Sequence, residues 1–351
     1  MPQPNQSPAP GIELIESTQI PRTALRVSRV ALGTWAMGGW MWGGRNDHES
    51  IATIQRAVDQ GINLIDTAPA YGFGAAEELV GKALRSANLR SQAVIATKVG
   101  LEWRDGKVFR NATRARIMRE IDQSLRRLRT DYVDIYQVHW PDPLVPIEET
   151  ALAMLSLYEQ GKIRAIGVSN FSVEQMRRFR VVAPLHVLQS PYNLFERAIE
   201  TDVLPYCRAN DIATFGYGAL CRGLLSGRMR INTTFEGDDL RRLDPKFQPP
   251  RFAQYLAAVD QLDRLARDRF LRRVIHLAVR WMLDQGISVA LWGGRRPEQL
   301  RAIWGVQGWS LDSAALAKID QILSDAITDP VGPEFMAPPQ RSNRELKELT
   351  T

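Results

Sequence analysis

Four residues able to hold or move a proton stand at or just beyond the ends of apolar runs in the sequence. Asp66 ends the run in "LIDTAPAYG", and Tyr71 follows it five residues later. Lys98 ends the run in "VIATKVG", and His139 ends the run in "YQVHWPD". A lysine directly after an apolar run is costly to bury unless it is paired, and Asp66 is the obvious partner. These residue types therefore predict one shared proton-transfer site.

The chemistry of such a site follows from the phenol. A free tyrosine has a pKa of about 10, and a nearby ammonium lowers it. We predict that Lys98 lowers the pKa of Tyr71, that Asp66 holds Lys98, and that His139 orients a carbonyl oxygen or shares the proton. Protonating a carbonyl oxygen during its reduction requires a hydride donor. Because no side chain supplies hydride, a nicotinamide cofactor is implied.

The sequence lacks the usual dinucleotide fingerprint, because Gly72-Phe73-Gly74 is not followed by x-x-Gly. The late loops offer another phosphate site in "YGALCRGLLSGR" and "LWGGRRPEQL". The second places paired glycines and two arginines directly before a predicted helix near Pro297. Backbone amides, a helix N-terminus and guanidinium groups together suit a phosphate. A turn with exposed arginines is the alternative interpretation.

Eight short apolar segments alternate with amphipathic helical segments along the chain. This alternation predicts parallel strands joined by right-handed crossovers, and the number eight favours a closed (β/α)8 TIM barrel over an open sheet. The predicted strands are Val30–Thr34, Ile62–Asp66, Ala93–Lys98, Tyr132–His139, Ile163–Ser169, His186–Ser190, Ile212–Tyr217 and Ile287–Leu291. The predicted helices are 47–60, 74–86, 113–128, 147–160, 172–182, 198–209, 252–267, 272–284, 297–305 and 312–325.

No linker divides the chain, so we predict a single α/β domain over residues 25–328 with long loops at the C-terminal face of the barrel. Residues 1–24 are predicted to form a flexible leader and an N-terminal hairpin. Residues 329–351 are predicted to form a tail near the barrel mouth. The irregular segment 222–250 is long for a loop in a compact domain, which favours a functional role.

Composition narrows the function classes. The 351 residues are 44% hydrophobic and 24% charged, as in ordinary globular proteins, and no apolar stretch is long enough to span a membrane. The net charge of +6 is spread along the chain, which disfavours nucleic-acid binding. The two cysteines, Cys207 and Cys221, have no metal-ligand spacing, so no metal is expected. A reducing cytoplasm is the expected location. The sequence does not give the oligomeric state.

Six of the nine tryptophans lie at or just beyond predicted strand C-termini. We predict that they form one aromatic rim, with Trp292 among them. An aromatic mouth suits a pocket for a small organic substrate, here a carbonyl or hydroxyl compound. The predicted lining residues are Trp35, Trp40, Trp42, Trp103 and Trp140.

The chain resembles the aldo-keto reductase family over residues 25–327. The resemblance rests on "LGTWAMGG", "NLIDTAPAYGFGAAEELVG", "VIATKVG", "SLRRLRTDYVDIYQVHWPD", "GKIRAIGVSNFS", "LQSPYNLFER" and "YGALCRGLLSG". It implies a (β/α)8 barrel and reversible, NADPH-dependent reduction of small aldehydes and ketones. The family's catalytic tetrad falls on Asp66, Tyr71, Lys98 and His139, with Tyr71 as the acid. The sequence "ALWGGRRPEQL" at the eighth predicted strand is similar to the bacterial general-stress and glycerol-dehydrogenase-like branch of the family. This similarity suggests small hydroxylated or aliphatic aldehydes as substrates.

The same resemblance implies an NADP site. Ser169, Asn170 and Gln189 would hold the carboxamide, and Tyr217 would stack on the nicotinamide. The remaining cofactor contacts would come from Asp66, from strand one at Gly33, Thr34 and Trp35, from the pyrophosphate loop at Gly218, Ala219, Leu220, Arg222, Gly223 and Leu224, and from the adenosine end at Gly293, Gly294, Arg295 and Gln299. Two positions depart from the family pattern: Gly218 replaces a serine, and Ala302-Ile303 replaces Glu-Asn.

Two other functions stay open at this point. Lys98 at a strand end could form a Schiff base, as in barrel aldolases, although pairing with Asp66 would keep its amine protonated. The chain could also be an NADP-binding, redox-sensing regulatory subunit similar to potassium-channel β subunits, which share the barrel.

Overall fold

The computed structural model describes residues 15–339, and they contain a closed barrel of eight parallel strands. The strands, numbered along the chain, are β1 Ser17–Gln19, β2 Arg26–Ser28, β3 Val30–Gly33, β4 Leu64–Asp66, β5 Val94–Val99, β6 Leu101–Arg104, β7 Lys107–Arg110, β8 Val133–Val138, β9 Ile163–Ser169, β10 Val187–Pro191, β11 Ala213–Tyr217 and β12 Val289–Gly293. The barrel order is β10-β11-β12-β3-β4-β5-β8-β9, and β10 pairs with β9 to close it.

All eight predicted barrel strands are confirmed, and their bounds shift by at most two residues. The barrel interior is filled by small and branched apolar side chains that alternate with outward-facing ones. This inner core is sealed by the N-terminal hairpin and comprises mainly Leu64, Ile135, Val187, Phe215, Val289 and Leu291. A second, larger core packs the helices against the outside of the barrel.

The helices follow the predicted segments closely. The α-helices are α1 Asp47–Asp59, α2 Ala75–Ser86, α3 Arg114–Leu128, α4 Ile147–Glu159, α5 Val173–Val182, α6 Val203–Ala209, α7 Arg251–Phe270, α8 Val274–Asp284 and α9 Ser313–Ala326. The predicted helix 198–209 is divided into a 3-10 turn, Ala198–Glu200, and α6. The segment predicted near Pro297 is a 3-10 helix, Pro297–Val306, rather than an α-helix.

Two antiparallel hairpins flank the barrel. The first pairs β1 with β2 and seals the N-terminal end. Its second strand lies beyond residue 24, so the hairpin extends into the predicted domain, whose boundaries stay a prediction. The leader residues before 15 lie outside the described residues. The second hairpin, β6–β7, was not predicted; its polar sequence "EWRDGKVFR" hides the alternation of a strand.

The segment 222–250 is irregular, as predicted, and contains the short turns Leu240–Arg242 and Pro245–Phe247. Described tail residues return to the barrel mouth. Arg110 Nε donates to the Pro338 carbonyl at 3.2 Å, and Lys246 Nζ donates to the Gly332 carbonyl at 2.9 Å. Residues 340–351 lie outside the described part. Within residues 15–339, no helix is long and apolar enough to cross a membrane, and no cluster of metal-ligating side chains is found.

Candidate active site

The strand ends β4 and β5 bring Asp66 and Lys98 together inside the barrel. Asp66 pairs in register with Ala96, so Lys98 lies one pleat further along the neighbouring strand. Lys98 Nζ lies 2.8 Å from both carboxylate oxygens of Asp66 and donates to the Thr67 carbonyl at 3.0 Å. The lysine is fully buried, and the aspartate side chain is 3% exposed. Such a buried pair is tolerated because each charge has a partner.

A tight turn places Tyr71 against this pair. Gly72 has a φ of +64°, and a Cβ there would lie 2.1 Å from the Gly38 carbonyl oxygen. Only glycine allows the two backbones to approach this closely. As a result, Lys98 Nζ donates to the Tyr71 hydroxyl at 3.2 Å.

His139 completes the cluster from the end of β8. Its ring lies edge-on to the Tyr71 ring, with a centroid distance of 5.8 Å and an interplanar angle of 81°. Burial, together with the positive charge of Lys98, lowers the pKa of His139 well below its usual value. The imidazole is therefore neutral at physiological pH and can donate one hydrogen bond without carrying charge.

The pKa of Tyr71 corrects one expectation. The sequence predicted that Lys98 would lower it, but burial, reinforced by the charge of Asp66, raises the pKa of Tyr71 well above its usual value. The nearby ammonium does not reverse this rise, because burial disfavours the charged phenolate. Tyr71 is therefore protonated at neutral pH, which is the form that a proton donor needs.

The aldolase alternative does not suit this geometry. Burial lowers the pKa of Lys98, yet both oxygens of Asp66 accept from its amine, which favours the ammonium. Gln189 Nε2 also donates to Asp66, at 2.8 Å. Gln189 thus supports the ion pair between Asp66 and Lys98 in this structure. An amine held by a carboxylate, a carbonyl and a phenol has no free lone pair for attack.

Polar residues at the ends of β9 and β11 lie beside the cluster. Asn170 has a φ of +62°, and its side chain donates to the His139 carbonyl and to Ser169 Oγ, each at 3.0 Å. The Tyr217 hydroxyl donates to Asn170 Oδ1 at 2.9 Å. The residues predicted to contact the nicotinamide and its carboxamide, here Ser169, Asn170 and Tyr217, therefore lie side by side. The Tyr217 ring is partly exposed.

The predicted pyrophosphate loop has a more buried arrangement than expected. Gly218 and Gly223 take positive φ values of +73° and +92°, while Ala219 and Leu224 are buried. Arg222 is not a free cation facing a ligand. Its guanidinium lies 2.5 Å from Glu196 and 2.6 Å from Asp244, so its charge is already neutralised inside the protein.

This buried ion cluster includes Lys246, whose Nζ lies 2.9 Å from Glu196. Although burial opposes it, Arg222 and Lys246 hold the pKa of Glu196 below its usual value. The cluster joins the loop after β11 to the tail, because the Arg222 guanidinium also lies over the Phe335 ring at 5.4 Å. Sequence reasoning missed it, since its members are far apart along the chain.

The loop after β12 presents the predicted adenosine end. Gln299 Oε1 accepts from the backbone amides of Arg295 and Arg296 at 2.8 and 3.0 Å, which fixes the turn. Gly293 is exposed, and a Cβ there would meet nothing within 4 Å. Burial, and then the nearby charges of Arg241 and Arg296, lower the pKa of the Arg295 guanidinium. Arg241 is paired with Asp239, so the open Gly293 and the Arg295 guanidinium are the features here that favour an anion.

These features fit a phosphorylated dinucleotide. The loops after β11 and β12 together offer the partly exposed ring of Tyr217, the backbone of Gly218 and Gly293, and the guanidinium of Arg295. In addition, the Trp42 indole Nε1 is buried and has no hydrogen-bond partner within the described residues. A buried donor without a partner is costly, so a bound polar group would stabilise it.

Aromatic rings surround the mouth in two groups. Trp35 lies between Tyr71, at 6.0 Å, and Trp42, at 5.4 Å. The second group adds Phe73, which sequence reasoning missed, to three predicted tryptophans, and it comprises Trp40, Phe73, Trp103 and Trp140. The prediction for Trp292 was wrong, because it is 1% exposed and belongs to the helix–barrel core; it is outward-facing on β12.

Barrel and site together define an oxidoreductase that acts on carbonyl compounds. A model of the Aldo/keto reductase family matches residues 29–324. The chain belongs to this family, for which NADP(H) is the typical cofactor.

Similar proteins agree on the class and differ in their named activities. The chain is 61% identical to aldo-keto reductase YhdN of Bacillus subtilis, over 93% of this chain and 99% of the relative. It is 36% identical to an NADH-specific methylglyoxal reductase of Escherichia coli, over 80% and 89%. Among solved structures, a glycerol dehydrogenase from Gluconobacter oxydans has a TM-score of 0.83 at 52% identity, over 92% and 99%. A Klebsiella pneumoniae aldo-keto reductase in complex with NADPH has a TM-score of 0.65 at 28% identity, over 91% and 94%.

Proposed function

We propose that this protein reduces small aldehydes and ketones with NADPH, and that Tyr71, Lys98, Asp66 and His139 form its catalytic tetrad. One observation carries the assignment: Lys98 Nζ contacts both Asp66 oxygens and the Tyr71 hydroxyl within 3.2 Å. The reaction is reversible, so the same residues would serve alcohol oxidation.

Each side chain has a distinct role in the reduction. The nicotinamide, when bound, supplies hydride to the carbonyl carbon. Tyr71, kept protonated by its raised pKa, donates its proton to the carbonyl oxygen. Lys98 stabilises the phenolate that remains, and Asp66 keeps Lys98 charged and in place. The neutral His139 donates a hydrogen bond that orients the carbonyl oxygen toward Tyr71.

The cofactor side of the proposal assigns Ser169, Asn170 and Gln189 to the carboxamide and Tyr217 to the nicotinamide ring. Gly293, Gly294, Arg295 and Gln299 would meet the adenosine 2′-phosphate, which favours NADPH over NADH. The cationic environment of Arg295 supports this choice. The remaining proposed contacts are Gly33, Thr34, Trp35, Gly218, Ala219, Leu220, Gly223 and Leu224. For Arg222 we now propose support of the loop rather than a phosphate contact.

The substrate side rests on the aromatic mouth. The mouth carries an aromatic, apolar lining that suits aliphatic or hydroxylated aldehydes better than charged ones; the lining residues are Trp35, Trp40, Trp42, Trp103 and Trp140. We propose a cytoplasmic location. Its support is the cysteine content: the chain has two cysteines, Cys207 and Cys221, and both are free thiols.

Replacing the proposed acid tests the function. Tyr71→Phe removes only the hydroxyl, and aldehyde-dependent NADPH oxidation should fall by about 10²–10⁴-fold. Binding of NADPH, measured by fluorescence titration, should persist. The assay panel should include glyceraldehyde, methylglyoxal, and aliphatic and aromatic aldehydes, with NADPH and NADH compared at equal concentration.

Tyr132→Phe is a matched control, because Tyr132 directly precedes β8 at the opposite end of the barrel. This variant should keep wild-type turnover. Wild-type turnover in Tyr71→Phe would refute the acid assignment. A wild-type protein that binds neither NADPH nor NADH would refute the cofactor assignment.

A further inference from the structure

The loop of residues 39–44, which carries Trp40 and Trp42, has a costly backbone conformation. Gly39, Met41, Gly43 and Gly44 all have positive φ values, and Met41 is not a glycine. Within the loop, the amides of Trp42 and Gly44 donate to the Gly39 carbonyl at 3.0 and 3.3 Å, and from outside it the Leu240 amide donates to the Met41 carbonyl at 3.0 Å. Because left-handed conformations are unfavourable for residues with side chains, groups outside the loop must hold it in place.

Two side chains from distant loops do so. On one side, the Asp238 carboxylate accepts from the amides of Met41 and Gly43, at 2.8 and 3.1 Å. On the other side, Arg295 Nη1 donates to the carbonyls of Trp42 and Gly44, at 3.0 and 3.1 Å. Charged hydrogen bonds of this kind are stronger than neutral ones. The loop is therefore fixed by one acidic and one basic clamp.

The held loop reaches the proton donor through ring contacts. The Trp42 ring lies edge-on to Trp35, and Trp35 stacks on Tyr71. The position of the Trp42 backbone, which Arg295 holds, thus sets the aromatic wall beside the proposed acid. Trp40 in the same loop packs on Phe73 at 5.0 Å, in the second aromatic group.

Arg295 has donors left over for a ligand. Both of its contacts use Nη1, and the structure gives no hydrogen bond from Nε or Nη2 to any residue between 15 and 339. Its backbone amide is fixed by Gln299, so the side chain starts from a rigid point. One guanidinium can therefore bind an anion through one edge while it holds the loop through the other.

We propose that Arg295 is a positioning residue that couples the cofactor's phosphate end to the substrate pocket. A 2′-phosphate bound to the free edge of Arg295 orders its side chain and so strengthens its grip on residues 39–44. Because coupling between two binding sites is reciprocal, substrate binding then tightens NADPH more than it tightens NADH. The phosphate half of this proposal rests on the proposed function, whereas the loop half rests on the contacts alone.

Hydrogen–deuterium exchange tests the loop half without cofactor or turnover. In Arg295→Ala, amide exchange in residues 39–44 should speed up on the order of tenfold, because two charged hydrogen bonds are lost. Arg301→Ala is the matched control; its side chain is exposed, and loop exchange should be unchanged. Asp238→Ala should speed the same amides. Wild-type exchange in Arg295→Ala would overturn the proposal.

Adenosine 2′,5′-bisphosphate tests the coupling half. When it saturates the wild-type protein, exchange in residues 39–44 should slow about fivefold, and no slowing should occur in Arg295→Ala. At saturating NADPH, Arg295→Ala should raise the aldehyde KM several-fold, whereas Arg301→Ala should not. Binding of the bisphosphate without slowed exchange would overturn the coupling. Failure of the wild type to bind the bisphosphate would instead refute the phosphate placement in the proposed function.

Discussion

Removing the buried ammonium separates its structural role from its catalytic role. Lys98→Met keeps the length of the side chain but leaves Asp66 buried, with Gln189 as its remaining side-chain donor in the described structure. Breaking a buried ion pair on one side costs about 3–5 kcal/mol, because the other charge is left uncompensated. The ion pair here is almost fully buried, at 0% and 3% exposure, so the upper part of that range applies.

Neutralising both partners should restore stability without activity. The double variant Lys98→Met/Asp66→Asn leaves no unpaired charge, so its free energy of unfolding should return to within about 1 kcal/mol of the wild type. Aldehyde turnover should stay about 10²–10⁴-fold below the wild type in both variants, since no cation stabilises the phenolate of Tyr71.

Urea denaturation followed by circular dichroism measures the first quantity, and NADPH oxidation measures the second. Lys162→Met is the control, because its exposed pair with Asp122 should contribute no more than about 1 kcal/mol. A double variant as unstable as Lys98→Met would contradict the view that unpaired charge causes the loss. A double variant with restored turnover would contradict the role of the ammonium.

Two further predictions concern the same region. The pKa of His139 in the folded protein lies below its unfolded value of about 6.5, so the unfolded state gains its proton first as the pH falls. In urea titrations, the wild type should therefore lose more stability than His139→Gln between about pH 7.5 and about pH 5. Equal losses would contradict a neutral buried imidazole. Gly72→Ala should lower the free energy of unfolding by several kcal/mol and remove most of the turnover, because its Cβ would meet the Gly38 carbonyl oxygen at 2.1 Å. Gly43→Ala, which has open space around its Cβ and a φ of +69°, should lower the free energy of unfolding by only about 1–2 kcal/mol in the same denaturation assay.

The clustering of Asp66, Tyr71, Lys98 and His139 could be predicted because strand ends meet at one face of a parallel barrel. Asp66, Lys98 and His139 each end an apolar run, and parallel strands bring such ends together without further information. Tyr71 could be added to the predicted cluster because it follows Asp66 by only five residues in the sequence. The strands themselves were readable as short apolar runs, and all eight were found.

The remaining features depend on distances that no local pattern encodes. The buried group of Glu196, Arg222 and Lys246 joins positions up to fifty residues apart, so Arg222 could only be interpreted as a ligand contact. Trp292 ends a strand like the rim tryptophans, yet it faces outward into the helix layer. The sign of the Tyr71 pKa shift was wrong for a related reason: spacing revealed the nearby ammonium but not the degree of burial.

Chemistry and selectivity have different structural origins in this barrel. The groups proposed to transfer the proton stand on or beside β4, β5 and β8, which the hydrogen-bonded barrel holds in fixed register. The groups proposed to shape the pocket stand on loop 39–44, on hairpin β6–β7 and on the tail, which side-chain contacts hold in place. Loops can change while strands do not. We therefore expect the contacts that hold these loops, rather than the cluster at the strand ends, to decide which substrate this protein reduces.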